Sequence, residues 1–388
     1  MSQVLRLGDV VEKTGTWNPG DQPDAEFVYV DVAAVDNELK RITQPKTMIG
    51  ADAPSRARKV IRGGDVLVST VRPNLNAVAL VPSSLDEQIA STGFCVLRAK
   101  SDLVLPEYLF YYTRTPVFIA GLLGLVAGAM YPAVTDRQVL DQRIPIPSLD
   151  EQRRIVDLLS RAEGIVQLRR EAHAMAHVII PALFVDMFGD PSTNPKGWPT
   201  KPLRNVAEFR SGGTPSKARP DFWIGDLPWV SPKDMKITAL RDAIDRVSRT
   251  VLEETSLKLI PPGSVLIVVR GMILVHTVPV AVAEVPLTIN QDMKALIPNA
   301  AVLPVYLLWA LKVMHDRLLG MVSTAAHGTK KLETERLENL DLPLPPLALQ
   351  QVFAQRTSEM SSILAQQATA STTAADTFAS LLAKSFGR

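Results

Sequence analysis

Apolar residues fall into a fixed succession of patterns along this chain, and the succession occurs twice. First come short β-branched runs bounded by glycine. "GDVLVSTVR" from Gly64 and "GSVLIVVRG" from Gly263 predict strands. Next, "PEYLFYYTR" from Pro106 and "PVYLLWALKVMHDRLL" from Pro304 predict helices, each opened by proline. Then come "IPIPSLDEQRRI" (144–155) and "LPLPPLALQQVF" (342–353), whose prolines impose an extended approach. A long helix follows each. The first is predicted from an N-cap at Asp150 to about Ile180, just before Pro181. Its stripe is Ile155, Leu158, Leu159, Ala162, Ile165, Leu168 and Ala172. The second is predicted from near Pro346 to about Phe386. Its stripe of Val352, Phe353, Met360, Ile363 and Leu364 is weaker, and its tail is rich in Ala, Gln, Ser and Thr.

The landmarks keep their order and an offset of about 196–200 residues. "VVEKTGTWNP" at 10–19 matches "VAEFRSGGTP" at 206–215, and "YVDV" at 29–32 matches "WVSP" at 229–232. Two divergent copies of one unit explain this. Between them, "FGDPSTNPKGWPTKPL" (188–203) carries six Gly and Pro residues and reads as a connector without regular structure. The predicted fold class is α+β, with two similar mixed α/β domains, each followed by a long helix. The boundaries are 1–147, 148–187 (helix), 188–202 (connector), 203–345 and 346–388 (helix).

Composition sharpens this only a little. The 388 residues suffice for two ordinary cores. A net charge of +2 neither demands nor excludes a polyanion. Cys95 is the only cysteine, so a disulfide framework and a Cys-based zinc site are excluded. "TPVFIAGLLGLVAGAMYPAVT" (115–135), with Gly124 and Gly128 spaced as GxxxG, approaches membrane-spanning length. Its glycines and Pro132 favour a buried segment of a water-facing domain. With no secretory signal after Met1, a cytoplasmic protein is expected.

No catalytic constellation is evident. "SGGTPSK" (211–217) lacks phosphate-loop spacing, and no G-x-S-x-G elbow or kinase set occurs. No acidic-Pro-Pro-aromatic tetrapeptide of the amino-methyltransferase kind occurs either. His173 and His177 stand at i, i+4 without a third ligand nearby, while His276, His315 and His327 are scattered. Catalytic, metal and cofactor-binding residues are therefore expected to be none.

Local basic clusters point to nucleic acid. Arg56, Arg58, Lys59 and Arg62 stand in "RARKVIR", and Arg72, Asn74 and Asn76 follow a predicted strand. The second copy has Lys217 and Arg219, Lys233 and Lys236, Lys330 and Lys331, and Arg270 at the place of Arg72. Arg and Lys contact phosphates and guanine edges, and Asn reads adenine. Any one such run is ordinarily a solvated loop; matched positions in two copies strengthen the set. A rod of about 25 residues is roughly 37 Å long, close to one DNA turn of about 34 Å. Paired antiparallel rods would therefore suit two half-sites on one duplex face. Gly212, Gly213 and Pro215, with Phe222, Trp223 and Trp229, fit a turn beside an aromatic edge.

Four motifs together resemble the specificity subunit of Type I restriction-modification systems. They are "SGGTPSKARPDFWIGDLPWVSPKDM" (211–235), "HGTKKLETERLENLDLPLPPLALQQ" (327–351), "YPAVTDRQVLDQRIPIPSLDEQRRI" (131–155) and the "FGDPSTNPKGWP" connector. The resemblance implies two target-recognition domains, each reading half of a split, asymmetric DNA sequence. It implies two long helices forming an antiparallel coiled coil, for which Ile155, Leu158, Leu159, Ala162, Ile165, Val352, Phe353, Met360 and Ile363 are candidates. It implies two methyltransferase subunits bringing S-adenosylmethionine, restriction subunits for cleavage, and no catalytic residue in this chain. The chain departs from the pattern where Leu349 and Gln351 stand opposite Glu151 and Arg153, and where "TGTWNP" replaces the GGTP turn in the first copy. A stand-alone two-site DNA-binding regulator and a repeat scaffold that binds no DNA are the alternatives.

Overall fold

The computed structural model describes residues 3–126, 132–324 and 328–387, without the side chains of 173, 174, 176 and 177. Gly128, Tyr131, His327 and the imidazoles of His173 and His177 thus lie outside the described residues. The chain divides into two units. Unit one holds Met1–Arg170 and Thr369–Arg388, and unit two holds Glu171–Ala368.

In unit one, strand Val66–Ser69 lies inside an antiparallel sheet ordered Val11–Glu12, Phe94–Ala99, Val66–Ser69, Val78–Leu80. A second sheet is ordered Lys46–Ile49, Glu26–Val30, Gln88–Ser91, Ala57–Ile61, and in it Tyr29 pairs parallel with Ile89. Unit two repeats the plan. Its larger sheet is ordered Ala207–Ser211, Met293–Pro298, Val265–Val268, Val280–Ala283, Ala239–Leu240. Its smaller sheet is Asp245–Val247, Leu227–Val230, Thr288–Ile289, with Trp229 parallel to Thr288. The parallel pair is thus also duplicated. The counterpart of strand Ala57–Ile61 shrinks to a single bridge, Ile260 to Leu287.

The central strands are unbroken apolar runs because both faces are covered. Val66, Leu67 and Val68 are buried, as are Val265, Leu266, Ile267 and Val268. Gly64 (φ +89°) and Gly263 (φ +83°) lead into them, and the proline rings that open the next helices sit 3.7 and 3.4 Å from where a Cβ would be. Those helices are Pro106–Tyr112 and Pro304–Val313. Tyr108 hydrogen-bonds the Pro145 carbonyl at 2.8 Å, and Tyr306 the Pro343 carbonyl at 2.7 Å.

The proline segments are extended, as their sequence dictates, and they are also paired. Arg143–Ile146 runs antiparallel to Gln3–Arg6, and Asp341–Pro343 to Thr200–Pro202. The connector is therefore less irregular than its Gly and Pro content predicts. Its last three residues are a strand, because Asp341–Pro343 offers a free edge. Its first part folds back onto the helix end. Gly189 (φ +80°) terminates the helix, Lys196 Nζ donates to the Asp186 and Met187 carbonyls at 2.5 and 3.0 Å, and Trp198 Nε1 donates to Phe188 O at 2.9 Å.

The first long helix is Leu149–Phe188. The expected cap at Asp150 moves to Ser148, whose Oγ accepts from Glu151 N at 3.4 Å, and Asp150 instead pairs with Arg153. The helix also passes through Pro181 rather than ending before it. An interior proline costs about 3 kcal/mol, and burial of Ile180, Phe184 and Phe188 in the core of unit two offsets that. The second long helix is Leu347–Phe386. Within unit one, Ile155 and Leu159 of the first helix share a core with Leu382 and Phe386 of the second. Farther along, Ala162 and Ile165 face Ala370, Thr373 and Thr377, so the two run antiparallel. Within unit two, Phe184 and Phe188 pack against Phe353, with ring centroids 5.4 and 5.3 Å apart.

Candidate nucleic-acid interface

Each unit builds one tip at the end of its central strand. In unit one the chain leaves Ser69 and is held by a flanking segment: Arg72 N donates to Pro132 O at 2.8 Å, and Val134 N to Thr70 O at 2.9 Å. Arg72 is exposed and left-handed (φ 49°), followed by the 3-10 turn Pro73–Leu75. Asn74 is exposed beside it. Asn76 closes the turn and is enclosed. Its amide donates to Thr113 O at 2.9 Å, and its carbonyl accepts from Lys40 Nζ at 2.5 Å. The structure thus groups Arg72 with Asn74 and commits Asn76 to the interior.

Unit two forms the same frame with different side chains. Arg270 bridges antiparallel to Lys331, Gly271 N donates to Lys330 O at 3.0 Å, and Leu332 N donates to Val269 O at 2.9 Å. Arg270 is exposed. Lys330 reaches Thr324 Oγ1 at 2.8 Å, and Lys331 pairs with Glu333 at 2.7 Å. Arg270 and the adjacent pair Lys330 and Lys331, distant from it in the sequence, therefore meet at one tip.

The remaining basic residues divide by environment. Lys59 points inward, bonded to the Phe94 carbonyl and to Asp136. Arg62 pairs with Glu87 at 2.6 Å, and Arg58 bonds the Ala57 carbonyl at 2.7 Å. Arg56 is exposed. Arg219 lies 4.2 Å over the Phe222 ring and pairs with Asp221 and Glu254 at 2.6 and 3.2 Å. Lys233 pairs with Asp245 at 2.7 Å, which raises its pKa. Lys217 and Lys236 are exposed.

Lys217 and Lys233 border a groove of about 790 Å³ with Trp223, Trp229 and Asn290. The GGTP turn is tied to the groove residue Trp229. Gly213 N donates to Ile289 O, and Trp229 Nε1 donates to Gly213 O, both at 2.9 Å. In unit one "TGTWNP" lies elsewhere, along the strand Ala57–Ile61, with Val60 N donating to Gly15 O at 3.1 Å and Trp17 N to Arg58 O at 2.9 Å. The two loops differ in placement as well as sequence.

Among the helix candidates, Ile155, Leu159 and Phe353 are buried. Met360 packs against the core of unit two, and Ala162 and Ile165 line the groove between the helices of unit one. Leu158, Ile165, Val352 and Ile363 are exposed. Burial pushes the Cys95 thiol up to about 12, so it is no nucleophile at neutral pH. Among the described residues no three His, Cys, Asp or Glu side chains are grouped to hold a metal, and no helix is long and apolar enough to cross a membrane. Sequence reasoning missed Lys40, Asn290, Gln152 and Gln350, whose only signal was repetition or a neighbouring motif.

The family model of the Type I restriction modification DNA specificity domain matches residues 2–173 and again 195–370. The chain belongs to this family. It is 35% identical over 152 residues to the EcoR124I/EcoR124II specificity subunit of Escherichia coli, a match spanning 39% of this chain and 38% of that subunit. A chain of a type I R-M system, solved for its complex assembly and conformational transition, is 31% identical with a TM-score of 0.71, covering 99% of this chain and 97% of its own. The HsdS subunit from Thermoanaerobacter tengcongensis is 32% identical with a TM-score of 0.50, over 99% and 96% of the two chains. The duplicated fold of this specificity family is thus the setting of both tips.

Proposed function

We propose that this chain is the DNA-reading subunit of a Type I restriction-modification complex. Each unit reads one half of a split target, and the long helices fix the gap between the halves. The observation that carries the reading is one strand frame built twice with different side chains at the same tip: Arg72 and Asn74 in unit one, Arg270, Lys330 and Lys331 in unit two. Equal frames suit two successive stretches of one duplex, and unequal side chains make the target asymmetric. Cations at the tips contact phosphates, so binding weakens as salt rises.

The chain itself is non-catalytic. Two methyltransferase subunits bring S-adenosylmethionine and flip the target adenine, whose amino group is out of reach inside the stack. Restriction subunits add cleavage. The docking ends of the helices are unequal: Asp150, Glu151, Arg153 and Arg154 crowd the start of the first, while the first turn of the second has no acidic residue. Its similarity to a chain of a solved type I R-M system supports such an assembly.

The test is to co-express the chain with a methyltransferase subunit of a Type I system from the same genome and map methylated adenines in host DNA. A split motif with a fixed unspecified gap is expected. Exchange of residues 1–143 for another such unit should change one half-site only. Absence of any motif, with no stable complex, overturns the reading.

A further inference from the structure

The tip of unit two carries exposed apolar side chains that the fold does not use. After Arg270 the chain turns at Gly271 (φ +133°) into the 3-10 turn Met272–Val275. Leu274 is 1% exposed and anchors the turn, whereas Met272 is 62%, Ile273 38% and Val275 41% exposed. The base of the turn is held by Gly271 N on Lys330 O, Leu274 N on Gly271 O and Thr277 N on Ile273 O, each within 3.0–3.2 Å. So three apolar side chains project from a fixed turn, flanked by exposed Arg270 and by half-buried Lys330 and Lys331, the latter paired with Glu333. A rim of cations around an apolar centre is complementary to DNA: phosphates meet the rim, and the centre meets something apolar on the bases. The apolar group that base edges offer in the major groove is the thymine 5-methyl. Unit one differs at the matched place, where Asn74 supplies an amide beside Arg72 and Leu75.

We propose that Met272 and Ile273 read thymine methyl groups in the half-site of unit two, with Arg270, Lys330 and Lys331 holding the adjacent phosphates. This rests on the DNA-reading function above and names what that tip recognises. The half-site of unit two would then contain thymine within it on one strand or the other, and its recognition would depend on a methyl rather than on a hydrogen bond.

The experiment uses the co-expressed complex and the mapped target, after exchange of residues 203–345 has identified the half-site of unit two. Duplexes are made in which uracil replaces each thymine of that half-site, which removes only the methyl. Wild-type complex should bind each critical uracil duplex roughly fourfold more weakly, the worth of one buried CH₂-sized group. Met272→Ala combined with Ile273→Ala, both exposed and so compatible with folding, should bind thymine and uracil duplexes alike. Equal wild-type binding to both duplexes overturns the proposal while leaving the split-site reading intact. So does release of the methyltransferase from the purified double variant, which would assign these side chains to a protein partner. Failure to find any split motif would remove both.

Discussion

Gln152 and Gln350 make the same buried joint in the two units. Gln152 Nε2 donates to Leu103 O and Pro147 O at 2.9 and 3.0 Å, and its Oε1 accepts from Leu105 N at 2.9 Å. Gln350 Nε2 donates to Ala301 O and Pro345 O at 3.4 and 2.9 Å, and its Oε1 accepts from Leu303 N at 2.9 Å. Both side chains are fully buried. Each ties the first turn of a long helix to the loop before the domain helix, so the helix leaves its domain at a fixed angle. Gln152→Ala or Gln350→Ala leaves buried donors and acceptors unpaired and should cost about 2–3 kcal/mol. Because the joints share no partner, the double variant should lose the sum. Urea unfolding of the three variants checks both points, and a double variant no worse than either single one would refute independent joints.

The duplication, the central strands and the two long helices were legible because covered strands and helix stripes leave direct marks on the sequence. The glutamine joints were not. Each sits just inside a helix start, in "SLDEQRRI" or "PLALQQVF", where a polar residue reads as solvated until the loop it binds is placed. Pro181 misled because the local rule for proline ignores the Phe184 and Phe188 burial beyond it. The basic residues were visible as charges, yet their partners lie far along the chain: Lys59 meets Asp136, and Arg270 meets Lys331. Spacing in sequence carried no trace of either contact.

The GGTP turn offers a sharp steric contrast. A Cβ on Gly212 would lie 2.1 Å from the carbonyl oxygens of both Ile289 and Asn290, whereas one on Gly213 would meet only Leu257 Cδ1 at an ordinary 3.8 Å. Backbone cannot swing aside as a side chain can. Gly212→Ala should therefore displace the turn from strand Thr288–Ile289 and destabilise unit two by about 2 kcal/mol or more, while Gly213→Ala should be nearly neutral. Thermal melts of the two variants decide it; similar melts would contradict the packing described.

The basic residues separate by environment into exposed ones, such as Arg72 and Arg270, and ones bonded within the fold, such as Lys59. Arg72→Ala and Arg270→Ala remove exposed charges and should each lower the slope of log affinity against log salt by about 1, with the melting temperature unchanged. Lys59→Met severs an inward contact with Phe94 O and Asp136, so its main effect should be on stability. Binding titrations at several salt concentrations, alongside melts, distinguish the classes. An unchanged slope for Arg270→Ala would place that side chain off the duplex.

Lys40 gives unit one a pH signature. Burial, reinforced by the nearby Arg114 charge, lowers its pKa from 10.5 to about 8, despite the opposing attraction of Asp36. Below pH 8 the ammonium is charged in both folded and unfolded chains, and the folded state bears the full penalty. Between pH 8 and 10.5 the folded chain has released the proton while the unfolded chain still holds it. The unfolded state then binds more protons, so stability contributed at this site rises with pH across that window and levels off above it. In Lys40→Met the term is absent. The stability of wild type relative to Lys40→Met should therefore increase from pH 7.5 to 10, with other titrating groups cancelling in the difference. Paired urea unfolding curves at three pH values measure it, and parallel pH dependence in the two proteins would show that Lys40 titrates normally in the fold.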